Sequence, residues 1–477
     1  MTTIAQRLNL LAEELVGPVP AGVSVTTRWL GEHVGDPRHD ASYLMLAVLT
    51  AQIPAPELIK GFTRDWRLDG LKPLLDGIVR RSRWADRTPL PIRVVREVVV
   101  DVTDTVASRF TTGIQRVARE TVARWWHDPA RAVTLVRWDA RGRRLISLDA
   151  EQVALVVPKA GDVVVGRPAI VVPYHATFLL PEIAVSPTRA SRLRTIGRFA
   201  AGRALAIGFD CIPITSAETA GTGMPGAFSK YLSALARFDA IAPISDAAAT
   251  EYRGWRRMLS GAGLRGPEIE AVSLPFATSG VSEPSRAGAL RTQLGLDDVP
   301  IVVCVGSHEP RKNHLTVLHA CEIAWREGRE FALVLVGGNS WDTENFDRLV
   351  AQLRRRDRRV LTLSGVGDDV IWDLYDLASF SIFTSLNEGF GLPVVESISH
   401  GTPVITSDFG SMRTLGAGHG GLLVDPRDPQ ALAESIGRLL DDPSERERLS
   451  IETRTAPTTT WDDYASQIWR LARPDAD

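Results

Sequence analysis

The chain has 477 residues, 44% apolar and 23% charged, with a formal net charge of −2. At about 150 residues per domain this is room for roughly three units with large cores, and the balanced charge excludes a globally basic nucleic-acid binder. The three cysteines, Cys211, Cys304 and Cys321, are too widely spaced for a disulfide framework or a metal-ligand cluster, so no metal is expected and a reducing cytosol is the simplest home. No basic stretch with a following apolar run opens the chain, and no apolar run approaches the ~18 residues of a membrane span, so a cytoplasmic location is expected.

Residues 1–90 read as a helical extension. Ile4, Leu8, Leu11 and Leu15 recur at helical spacing and Gly17-Pro18 stops them; Leu58 to Arg80 repeats the pattern. From Val94 the texture changes. Short apolar strands are expected at Val98–Val102, Val133–Val136, Val153–Val157, Ala169–Val172 and Ala204–Ile207, with a helix from Ile114 after Thr112-Gly113. Within this lobe, Arg189, Arg192, Arg194, Arg198 and Arg203 fall in one expected helical stretch. A solvated basic face is the preferred reading; peripheral contact with the inner face of an anionic membrane, or with a diphosphate-lipid acceptor, is the alternative. Gly221 to Gly226 satisfies a dinucleotide-loop pattern but follows no strand, and reads as a loop. Ser279 to Gly288 reads as a linker.

A second alternation begins at Pro300. Strands are expected at Ile301–Val305, Phe331–Val336, Val360–Leu363, Phe380–Phe383, Pro403–Thr406 and Gly421–Val424. Asn313 is placed to cap a helix from Leu315 to Glu327. Arg354 to Arg359 reads as a solvated helix end. Val/Ile-rich strands alternating with helices imply buried parallel sheets. The fold class expected is therefore α/β: two Rossmann-like, doubly wound units facing a cleft, with ligands at the carboxyl ends of the strands.

Chemistry concentrates in two loops of the second unit. After the strand ending near Phe383 comes Glu388-Gly389-Phe390-Gly391-Leu392-Pro393-Val394-Val395-Glu396. A glycine loop feeding a helix that starts near Pro393 and stops at Gly401 presents free N–H groups and the positive end of the helix dipole, which suits a diphosphate. Glu388 and Glu396 bracket it as acceptors for sugar and ribose hydroxyls. The second loop, Gly306-Ser307-His308-Glu309-Pro310-Arg311-Lys312-Asn313-His314, puts two cations near a helix start, an unfavourable place that a bound anion would offset. A lone histidine such as His175, after Val171-Val172-Pro173-Tyr174, is more often structural than functional, and His308 and His314 are equally open.

These two stretches, with Gly401-Thr402-Pro403-Val404-Ile405, resemble glycosyltransferase family 4, the retaining GT-B enzymes, over residues 94–470. Asp101-Val102-Thr103-Asp104 and Thr112-Gly113-Ile114-Gln115-Arg116-Val117 look like a subgroup with bacterial polysaccharide mannosyltransferases. The resemblance implies an acceptor domain over 91–290, joined by a terminal helix in 457–477, and a donor domain over 291–456. It implies transfer of a hexose, with mannose from GDP-mannose the favoured guess, to a glycan, glycolipid, lipid-linked or small-molecule hydroxyl. The nucleotide sugar would be a co-substrate, with no separate cofactor. Glu388, Lys312 and Arg311 would be catalytic. Glu396, Gly389, Phe390, Gly391, Leu392, Gly306, Ser307, Gly365, Val366 and Gly113 would line the donor. Asp210, in Ile207-Gly208-Phe209-Asp210-Cys211-Ile212-Pro213, and His175 would face the acceptor. Many relatives carry an arginine where this chain has Ser307, so Arg311 is the expected substitute. The rival readings are a GT-B epimerase or phosphorylase and a non-catalytic nucleotide-sugar-binding scaffold. Nothing in the sequence speaks to oligomeric state.

Overall fold

The computed structural model describes residues 3–85, 90–108, 112–158, 165–276, 284–296, 299–338, 341 and 343–474. It opens with helices Ile4–Leu15, Thr27–His33, His39–Thr50, Pro56–Asp69 and Leu71–Ala85. A Thr3/Gln6 capping box starts the first. The stretch expected as one helix from Leu58 to Arg80 is two, because Gly70 turns the chain at φ +80. His39–Thr50 has every residue from Ala41 to Leu49 buried. A helix covered on all sides has no apolar stripe, which is why its period is not legible. These helices share one apolar core with the lobe that follows. Tyr43 Oη donates to the Pro173 carbonyl at 2.9 Å and Thr195 Oγ1 to that of Pro54 at 2.8 Å.

The first sheet contains β1 (Ile92–Val95), β2 (Val98–Asp101), β3 (Val133–Trp138), β4 (Leu145–Ser147), β5 (Ile170–Pro173), β6 (Thr177–Leu180), β7 (Arg203–Gly208), β8 (Ala240–Pro243) and β9 (Glu268–Ile269), in the order β1-β5-β4-β3-β2-β6-β7-β8-β9. Among the described pairs only those of β4 are antiparallel. β1 runs into β2, and β5 into β6, through short kinks. The two kinked strands stay paired across them, with Tyr174 N donating to Val95 O and Thr177 N to Glu97 O. Val153–Val157, expected as a strand, is instead helix Ala150–Val156. A capping box between Asp149 and Gln152 commits it to a helix, outweighing the β-preference of its valines.

The second sheet holds β10 (Ile301–Val305), β11 (Ala332–Val336), β12 (Val360–Leu363), β13 (Phe380–Phe383), β14 (Val404–Ser407) and β15 (Gly421–Val424), all parallel, in the order β12-β11-β10-β13-β14-β15. Each expected strand of this lobe is present. The expected linker lies partly outside the described residues, and its end is helical, Pro284–Gln293. The basic run is not wholly solvated: Arg356 and Arg358 both pair with Glu322. The terminal helix Trp461–Ala472 returns to the first lobe and packs on helix Gly113–His127, where Trp125 Nε1 donates to Ala465 O at 2.9 Å. It buries Trp461, Tyr464 and Ile468, the isoleucine alone contributing about 1.5–3 kcal/mol.

The expected basic face does not form. Arg203 lies in β7 and donates to Leu471 O. Arg189, on helix Pro187–Phe199, is buried among Asp101, Asp104 and Glu182, and Arg194 pairs with Glu57. A buried arginine persists where several carboxylates offset its desolvation, and here they draw it inward. No helix among the described residues is long and apolar enough to cross a membrane.

Candidate active site

Each sheet reverses its winding once: between β2 and β6 in the first lobe and between β10 and β13 in the second. The loops beyond the carboxyl ends of those strands splay apart and leave a crevice, the usual ligand position in such sheets. The two crevices face each other.

In the second lobe, the turn after β10 is set by close backbone packing. Gly306 adopts φ +155, and a Cβ on Gly337 would fall 2.0 Å from Gly306 O, so this approach admits only glycine at 337. Pro310–Lys312 forms a single 3₁₀ turn, followed by Asn313 in the left-handed region at φ 60. Asn313 holds the expected N-cap position of helix His314–Arg326, but its side chain caps nothing there. Its amide instead donates to the carbonyls of Thr384 and Pro426, at 3.1 and 2.6 Å. That ties the loop after β10 to the loop after β13. His308 and His314 are buried around Phe346, and burial pushes the His314 pKa down to about 3.

The loop after β13 carries Glu388. Its Oε1 accepts from Lys312 Nζ at 2.6 Å, pairs with Arg311 Nη1 at 2.7 Å and accepts from Ser385 Oγ at 2.8 Å. Burial alone would raise the Glu388 pKa; the two cations outweigh it and hold the carboxyl at about 2. Arg311 also reaches Asn387 O and Glu309, and Ser307 is half-buried. The Lys312 stem passes over Gly306, and its ammonium lies 4.8 Å from the centre of the Phe383 ring.

Helix Leu392–Ser399 begins at Gly391, whose φ of +110 suits glycine, with Pro393 in the first turn. It ends at Ser399, and His400 is its C-cap just before the expected stop at Gly401. Phe390, Val394 and Val395 are buried in an apolar core that also holds Val98, Phe209 and Ile244 of the first lobe. The lobes therefore meet directly at this helix. A Cβ on Gly113 would lie 3.3 Å from Leu392 Cδ1, and one on Gly389 would lie 2.6 Å from Phe209 O and 3.1 Å from Asp210 Oδ2.

The structure thus brings Glu388, Lys312, Arg311, Gly389, Phe390, Gly391, Leu392, Gly306, Ser307, Gly113 and Asp210 to one place. Asp210 is pushed up to about 6, first by burial and then by Glu251 and Glu388, with Arg311 acting the other way. Gly365, at φ +67, and Val366 lie in the loop after β12, at the sheet edge beside Asp368. His175 is not brought to this place. It sits at the amino end of β6, at φ +53 in the kink, its ring against Tyr174. Gly221–Gly226 leads into helix Met224–Leu235, with Pro225 tolerated in its first turn, contrary to the loop expected.

Sequence reasoning missed a set of contacts around Glu396. Arg116, from the first lobe, donates to Glu396 Oε1, and Tyr375 Oη donates to Oε2 at 3.3 Å. Ser245 Oγ also reaches across to Gly389 O. Arg116 lay inside a motif already noted, but its partner is 280 residues away.

Two doubly wound lobes meeting across their switch-point crevices define the GT-B fold. Residues 288–456, most of the second lobe, match the family described as Glycosyl transferases group 1. Over 252 residues the chain is 28% identical to the serotype-specific mannosyltransferase WbdA of Escherichia coli, covering 50% of this chain and 29% of that protein. It is 32% identical over 217 residues to a D-inositol 3-phosphate glycosyltransferase of Acidothermus cellulolyticus, covering 43% and 48%. The chain spans less than half the length of these relatives. HepE of Anabaena, solved in complex with UDP and glucose, superposes with a TM-score of 0.57 at 16% identity, covering 79% of this chain and 99% of that one. The sucrose-phosphate synthase of Thermosynechococcus elongatus gives 0.54 at 17%, covering 80% and 99%. Both likenesses are of fold.

Proposed function

We propose that the protein is a retaining glycosyltransferase that moves a hexose from a nucleoside diphosphate sugar to an acceptor hydroxyl, with mannose and GDP-mannose as the favoured donor pair and a glycan or lipid-linked glycan as acceptor. The observation that carries this reading is the clamp of Lys312 and Arg311 on Glu388 beside the start of helix Leu392–Ser399, across from Gly113 and Asp210. The likeness to named mannosyltransferases supports the choice of sugar.

In this reading the C1–O bond to the β-phosphate breaks and its electron pair leaves with the diphosphate. Lys312, Arg311 and the positive end of the helix stabilise that charge, which is largest in the transition state. The acceptor oxygen bonds to C1 on the same face, and its proton passes to the leaving phosphate oxygen. Glu388 turns to the sugar hydroxyls and Glu396 to the ribose. Gly365 and Val366 lie along the base.

The test is a panel of nucleotide sugars in thermal melting, followed by product analysis with the stabilising donor. A donor at about a hundred times its dissociation constant adds about 2.7 kcal/mol and raises Tm measurably. Inverted product would overturn the retaining mechanism. Turnover only with free phosphate, or with no acceptor, would assign a phosphorylase or an epimerase. Binding of a nucleotide sugar without turnover would assign a scaffold.

Asp210 supplies a pH prediction. Its carboxyl, held up near 6, is neutral below that pH and ionised above it. The ionised form is the stronger hydrogen-bond acceptor for an acceptor hydroxyl, so kcat/KM is expected to fall as pH drops through about 6. Asp210→Asn should lower the plateau and remove that limb. A limb unchanged in the variant would place the titrating group elsewhere.

A further inference from the structure

Arg116 stands on helix Gly113–His127 of the first lobe, yet its ion pairs cross to the second. Its guanidinium donates to Glu396 through Nη1, lies 3.3 Å from Asp368 Oδ2 and sits 5.1 Å from the centre of the Trp372 ring. The side chain is only 17% exposed. Burial alone would lower its pKa, but Glu396 and Asp368 hold it above the ordinary arginine value, so it stays cationic. The Tyr375 hydroxyl, whose one proton is shared between the Pro393 carbonyl at 3.2 Å and the other oxygen of Glu396 at 3.3 Å, gives that oxygen a weaker partner, so Arg116 is the main partner of Glu396 within the protein. A carboxylate that binds a ribose must turn at least one oxygen to the vicinal hydroxyls. The diol and the guanidinium therefore want the same atoms.

We infer that Arg116 is a gating residue for the donor: it competes with the ribose diol for Glu396, and its ion pairs join the lobes before the donor arrives. This rests on the nucleotide-sugar reading above and deepens it. A ligand shifts such an equilibrium only by its differential interaction with the two states. A nucleotide with an intact diol replaces the guanidinium at Glu396; one without the diol leaves the pair in place. Removing the guanidinium leaves a nearly buried carboxylate short of a partner, which the diol then supplies. Arg116 thus sets how strongly the enzyme distinguishes a ribonucleotide from one lacking its hydroxyls.

The experiment measures the affinity of the full chain for GDP and for 2′,3′-dideoxy-GDP by calorimetry, with the UDP pair as a second set. Wild type is compared with Arg116→Met and Arg116→Lys. Arg116→Met is expected to bind GDP about tenfold more tightly than wild type while its affinity for the dideoxy nucleotide moves less than about twofold. Adding Glu396→Gln should cancel that gain. Arg116→Lys keeps a cation but loses the fork, and should widen the preference about threefold, which decides the matter if the methionine variant does not fold. Equal weakening of both nucleotides would make Arg116 a phosphate contact and overturn the gate, as would unchanged affinities. Wild type binding neither GDP nor UDP would overturn the donor reading itself, and this inference with it.

Discussion

Lys312→Ala is expected to reduce sugar transfer about 10²- to 10³-fold, which is about 2.7–4 kcal/mol of lost transition-state stabilisation. The ammonium lies in the crevice 2.6 Å from Glu388 Oε1, carried on a stem packed against Gly306. In the proposed reaction its charge matters most when the diphosphate departs, so kcat should fall more than donor KM rises. Folding should suffer much less, since Arg311 still pairs with Glu388 at 2.7 Å and no buried carboxylate is left alone. Initial rates with the donor found by the melting panel, beside the Tm of the variant, provide the check. A rate within about threefold of wild type would remove Lys312 from the reaction.

Gly389→Val should lower kcat/KM by at least about 10², through a different cause. A side chain at 389 would meet the Phe209 carbonyl at 2.6 Å and Asp210 Oδ2 at 3.1 Å. Backbone on the opposite lobe cannot swing aside as a flexible side-chain end can, so the lobes must separate. Displacing the Asp210 side of the crevice by about 1 Å misaligns the acceptor with the donor carbon, and misplacement on that scale costs about a hundredfold in rate. The second lobe should keep its fold, because the contact lies between lobes. Kinetics of Gly389→Ala and Gly389→Val, with the Tm of each, test this. A valine variant as active as wild type would show that the reacting arrangement does not need this approach.

The second-lobe side of the crevice was legible in the sequence because its parts are local. Glu388, the glycines, Pro393 and Glu396 lie within one strand–loop–helix, and Arg311 and Lys312 follow one strand. Such segments obey rules of turn geometry and helix ends that operate over a few residues. The six strands of the second lobe were legible for a related reason: continuous apolar runs bounded by Gly or Pro fit a sheet buried on both faces. Local rules misled where two of them competed. The valines of residues 153–157 looked like a strand until the Asp149 cap is weighed, and Pro225 looked like a helix breaker although the first turn accepts it. His175 followed a strand, as a site residue would. It follows the wrong end of the kinked pair, since β5 continues into β6 and the crevice lies beyond Leu180.

What the sequence by itself determined was the order of helices and strands in the second lobe, and the glycine loop at a helix start with its flanking carboxylates. Each depends on neighbours in the chain. Only the tertiary structure decided that the amino-terminal helices share the core of the first lobe, that Arg189 is buried rather than solvated, and that Arg116 reaches Glu396. Those outcomes depend on contacts between residues far apart in sequence. There, burial lets charges interact strongly and makes desolvation decide which pairs persist, and neither quantity can be read until the fold has closed.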